Sequence, residues 1–163
     1  MESILARVMA TVLGLIALGG VIYAMSSAND SSKVNAISSD ISQIVSATRE
    51  QFAQSQTGYA NFTTANASTL YSAKVIPTDL WKGTGAVDQW GNNMTFAPAG
   101  NNAQFQITFG GANISPDVCA KIATALGGYV SMSVGGQAFT TPPDSVTANT
   151  ACAGGTAFTL TYN

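Results

Sequence analysis

The sequence predicts an α+β protein: one N-terminal helix of ~50 residues, an antiparallel-sheet head packed on its second half, and a C-terminal region closed by a disulfide. Three observations predict it. No charge falls between Val8 and Asn29, and the run from Val8 to Met25 is almost wholly apolar. Val34, Ile37, Ile41 and Ile44 then recur at steps of three and four, the spacing of one helix face. Beyond residue 93 the period changes, and apolar residues alternate with polar ones as in half-buried strands.

As a helix, the run Val8–Met25 is ~27 Å long, close to the ~30 Å hydrocarbon thickness of a bilayer. Arg7 precedes it and no base follows until Lys33, so the positive-inside tendency places the N-terminus in the cytoplasm and the rest outside. A cleavable signal peptide is the competing reading, with Ser26-Ser27-Ala28 as a small-x-small cleavage site. Against it, the helical pattern continues past Ala28, with Thr48 and Phe52 extending the apolar stripe, and no proline occurs before Pro77. Ser31, Ser32, Asp40, Ser42, Arg49 and Glu50 fall largely on the other faces. The chain therefore divides into residues 1–28, a hydrophobic half-helix serving as membrane anchor or packed among its own copies, and residues 29–163, a head that includes the amphipathic half. Gly14, Gly19 and Gly20 each weaken a helix by roughly 1 kcal/mol relative to Ala. They read as close-packing positions in a membrane or as a segment built to loosen when the helix leaves the bilayer. Glu2 opens the apolar helix, where it is favoured by the helix dipole, by the terminal amine of Met1 or of a neighbour, or by Arg7.

Residues 54–93 read as a long structured loop with a short helix near Asn66–Lys74. "NMTFAPAGNNAQFQITFGG" reads as a hairpin turning at Gly100-Asn101-Asn102. Ser115 is a candidate N-cap before Pro116 and Asp117, opening a helix that buries Val118, Ile122 and Leu126 and ends at Gly127 or Gly128. "YVSMSVGGQAF" and "TAFTLTYN" each read as a strand, and the segment between them as a loop carrying Cys152.

Only 9% of the residues are charged, against ~25% in a typical soluble domain. That suits a subunit largely covered by partners, or an exported protein. A net charge of −2 with six scattered bases offers no footprint for nucleic acid. Cys119 and Cys152, the only cysteines, are compatible with one disulfide outside the cytoplasm or with two separate buried thiols. Without histidine there is no Ser-His triad or His-based metal site, and two thiols alone make a poor zinc site. Asp79, Asp88, Asp117 and Asp144 lie in or beside loops and read as solvated acids rather than a hydrolytic pair. "GTGAVDQWG" lacks the glycine spacing of a phosphate loop. Tyr59, Tyr71, Trp81 and Trp90 stack on a sugar or, more commonly, staple loops to the core. No active site or cofactor is read, and the chain is taken not to be an enzyme.

The whole layout resembles a type IV pilin, and "VCAKIATALGGYVSMSVGG" is similar to the type IVb segment in which a cysteine starts a short helix and a strand then runs into Gly-Gly. The resemblance implies the pilin fold, with Cys119 and Cys152 as the disulfide bounding a variable C-terminal region. It implies a subunit held in the bacterial inner membrane before assembly, cut and N-methylated by a prepilin peptidase, and extruded by pilus assembly machinery into an extracellular homopolymer. Numbering then starts at the mature end, Met1. Glycines 14, 19 and 20 would permit partial helix melting on assembly. The family's glutamate is the fifth mature residue, whereas here position 5 is Leu and the acid is Glu2; Arg7 within the apolar segment is also atypical. A major pilin is the leading expectation. The alternative is a minor pilin or membrane-anchored exodomain that binds a receptor or sugar.

Overall fold

The computed structural model describes residues 28–163. The run Val8–Met25 and the positions Met1, Glu2, Arg7, Gly14, Gly19 and Gly20 lie outside the described residues. Helix α1 occupies 28–52. Its stripe is buried as the spacing predicts: Ile37, Ile41 and Ile44 are inaccessible and Val34 nearly so. The three isoleucines contribute roughly 5–9 kcal/mol of gross burial energy. Thr48 occupies the stripe with its hydroxyl buried and unpartnered. Asp40 departs from the expected placement. It is only 5% exposed, because the stripe is wide enough to cover the position between Ile37 and Ile41.

The loop after α1 holds a single 3-10 turn, Thr64–Asn66, running into α2, Ala67–Ser72. Further on it folds back in isolated bridges, Trp81 to Ala86 and Val87 to Asn93. Asp88 fixes its end. The buried carboxylate accepts hydrogen bonds from the backbone N–H groups of Trp90, Asn92 and Gly110 at 2.9 Å each. It is thus a structural tie and not a solvated acid.

Five strands follow: β1 Thr95–Ala99, β2 Gln104–Gly110, β3 Ser131–Val134, β4 Gln137–Phe139 and β5 Ala157–Tyr162. They form one antiparallel sheet in the order β1-β2-β5-β3-β4. The alternation predicted from sequence sets its two faces. Phe96, Ile107, Leu160, Met132 and Phe139 lie opposite one another across all five strands and form an inner row. The next row, Thr95, Thr108, Thr159, Ser133 and Ala138, lies on the other face. An aromatic cluster links α1 to the sheet: Phe52 against Tyr59 and Phe62, and Phe62 against Phe96 and Phe105, with centroids 5.0–6.2 Å apart.

Two expectations about the elements also need correction. "YVSMSVGGQAF" is a hairpin, because Gly135 and Gly136 take φ +56° and +78° and turn β3 into β4. The segment before β5 is not a loop but contains α4, Ser145–Ala153. Its N-cap is Asp144, whose carboxylate accepts from the N–H groups of Val146 and Thr147. Helix α3, Pro116–Ala125, starts at Ser115 as expected and ends at Leu126, just short of the glycines.

Candidate functional site

The head presents two constructed regions, a helix pair behind the disulfide and the surface of α1 with its adjoining loop. Cys119 on α3 and Cys152 on α4 are bonded, with their Cα atoms 5.9 Å apart. The bridge therefore joins two helices rather than a helix and a loop. Val118, Ile122 and Ala123 of α3 and Ala148 and Ala151 of α4 are buried with it. The C-terminal turn of α4 closes on the β3–β4 hairpin. A Cβ at Gly135 would run into the Ala151 carbonyl, and one at Gly154 would meet the Gly135 carbonyl at 2.8 Å.

On α1, Ser39, Ser42, Gln43, Ser46 and Glu50 remain exposed and, with Lys74, line a shallow groove. Arg49 secures the final strand. Its Nε donates to the Asn163 carbonyl at 2.8 Å, and its guanidinium lies 6.0 Å from the Tyr162 ring centre. Burial pushes the Tyr162 phenol up to about 12, against the lowering pull of Arg49. Across the helix, Gln89 Nε2 donates to Asp40 Oδ2 at 3.0 Å and to Asp79 Oδ2 at 3.3 Å. Desolvation raises the Asp40 carboxyl above its ordinary value; the Gln89 bond lowers it and the Asp79 charge adds to the rise.

The four acids considered from sequence are dispersed in role. Asp144 caps α4, Asp117 sits in the first turn of α3, Asp88 ties the loop to β2, and Asp79 faces Gln89. Among the described residues no cluster of three metal-ligating side chains occurs. No helix among them is long and apolar enough to cross a membrane. Of the aromatics, Tyr59 packs on Phe105 in the core cluster, with centroids 4.8 Å apart. Tyr71 and Trp81 stack on each other with planes 7° apart. The outer face of the sheet carries Thr, Ser, Gln and Ala without one charge.

A disulfide-tied α3–α4 pair, a helix buried along one stripe and a five-stranded antiparallel sheet make up the head. The family model described as PilS N terminal matches residues 31–163, nearly the whole of this region. The chain belongs to the PilS family. It is accordingly related to the type IV pilus, and its α+β architecture with the Cys119–Cys152 bridge is consistent with the pilin fold. No curated relative matches the sequence. In this PilS-family head, sequence reasoning missed α4, the burial of Asp40 and the structural role of Asp88. Asp144 following two prolines, with Ala148, Ala151 and Cys152 at helical spacing after it, was the available signal for α4.

Proposed function

We propose that this PilS-family chain is a major structural subunit of a type IVb pilus, polymerising through its N-terminal helix into an extracellular filament. One observation carries the reading: the charge-free run Val8–Met25 leads into a helix whose inner stripe is an integral part of the head's core. A segment so joined to the head suits a subunit that exchanges lipid for the helices of its copies. Before assembly the chain would reside in the bacterial inner membrane, with the prepilin peptidase and the assembly motor as partners. Its role is structural, not enzymatic. Burying the apolar half-helix removes on the order of 1,500 Å² from water, tens of kcal/mol gross at ~25 cal/mol per Å². Lipid is the real alternative environment, so the net gain is far smaller and extraction calls for a motor.

Electron microscopy and mass spectrometry of sheared surface fractions test the proposal. Fibres composed of this chain, retaining the run Val8–Met25, are expected. A chain that stays monomeric in detergent, in cells that carry no fibres containing it, would instead identify a minor pilin or anchored binding domain.

A further inference from the structure

We propose that the cavity beside α2 is a binding subsite for an acidic sugar, a pyranose bearing a carboxylate. The cavity is a cleft open to solvent with a volume of about 430 Å³, within the ~300–1,000 Å³ range of small-ligand clefts. Tyr71 forms part of its wall, and the ring is braced by Trp81, stacked at 4.8 Å between centroids. A half-exposed aromatic held in one orientation is a preformed platform for the C–H face of a sugar, with little side-chain entropy left to lose. Around it stand the hydrogen-bonding groups of Gln43, Ser72 and Thr78. Ser72 Oγ already donates to the Ser68 carbonyl, which leaves its lone pairs to accept from a sugar hydroxyl.

Lys74 sets the charge preference. Among the described residues it lines the cavity and no acidic residue does, Glu50 standing only in the adjoining groove. Among the described residues the Lys74 ammonium makes no hydrogen bond or ion pair. Its backbone is equally informative. Lys74 follows α2 with φ +61°, and its N–H closes the helix on the Tyr71 carbonyl at 2.9 Å. Glycine or asparagine is the usual occupant of such a position, and a long β-methylene side chain there is conformationally unfavourable. A lysine at the strained position places the only cation of the cavity wall next to the aromatic platform. An apolar ring, neutral hydrogen-bonding groups and one unpaired cation together fit a carboxylated pyranose. A bare anion would leave the platform unused, and a neutral sugar would leave the cation unused.

The test uses the full chain in detergent micelles, titrated with a glucuronate-terminated disaccharide and with its neutral glucose-terminated counterpart, followed by saturation-transfer NMR and calorimetry. Wild type should prefer the acidic disaccharide roughly tenfold, the contribution of one charge-assisted contact. Lys74→Gly relieves the backbone, so it should raise the melting temperature while abolishing that preference. Lys74→Gln should abolish it without the gain in stability. Tyr71→Ala should remove binding of both sugars. Absence of binding by wild type, retention of the acidic preference in Lys74→Gly, or equally tight binding of a free carboxylate such as acetate would each overturn the assignment.

Discussion

Asp40 is the residue whose burial most changes how α1 and the loop are held. Its carboxyl shares the Gln89 amide with Asp79, so two acids meet at one donor. With its folded pKa above the ordinary 3.8, the folded state binds the extra proton between those two values. Stability at this site therefore falls as pH rises through that window and stays lower above it. Asp40→Asn keeps an acceptor for Gln89 and removes the titration. Denaturant midpoints should show the variant more stable than wild type at neutral pH, with the two converging as pH falls to ~4. A gap that does not narrow on acidification would refute the account. This acid was not legible in sequence as a buried group, because periodicity assigns a residue to a stripe from its neighbours' chemistry. Inside the stripe, Asp40 is met by the amide of Gln89, 49 positions away, a partner that no local pattern announces.

Among the elements, α3 and α4 show most clearly what a local signal can convey. Ser115 and Pro116 announce α3, and its apolar residues repeat. Helix α4 is built mostly of Ser, Thr, Asn and Ala, with Val146 and Cys152, and has little contrast between its faces, so its pattern resembles a loop until packing against α3 is seen. The β3–β4 turn was hidden for a similar reason: Gly-Gly inside an alternating run is compatible with a bulge or a turn, and the position of α4 decides. Two glycines separate the effects. Gly136→Ala meets nothing within 4 Å and carries only the backbone penalty, about 1 kcal/mol. Gly135→Ala adds a collision with the Ala151 carbonyl and should lose about 2–4 kcal/mol. Equal melting temperatures for the two variants would show that α4 does not press on the turn. Cys152→Ser removes the covalent tie between the same helices and should lower stability by about 2–5 kcal/mol. Thermal unfolding of the oxidised protein beside the variant measures it; identical transitions would mean that the bridge contributes nothing. The aromatic wall was half legible. Tyr71 and Trp81 were evident as loop aromatics, but their stacking on each other depends on the turn between them, and Lys74 carries no sequence signature of its backbone conformation.

At the scale of the whole molecule, the scarcity of charge and the charge-free run Val8–Met25 ahead of α1 bear on the same question. A head with an uncharged outer sheet face and few ionic groups has weak electrostatic protection against association, which suits a subunit meant to be surrounded by copies of itself. Within the proposed filament, Gly14 and Gly19 would allow the helix to loosen as it passes from lipid into the bundle. In such a helix, leucine at either position would add roughly 1 kcal/mol of helix propensity per site and would also fill the space of a close neighbour. Both effects act on the N-terminal segment, far in sequence from the disulfide-tied head. Gly14→Leu and Gly19→Leu should therefore reduce the yield of sheared fibres while leaving the melting transition of the head unchanged. Alanine at the same positions separates the causes, since it restores helix propensity with little added bulk. Fibre loss with alanine as well as leucine points to a need for melting, whereas loss with leucine alone points to packing. Normal fibre yield from all four variants would remove these glycines from the assembly mechanism.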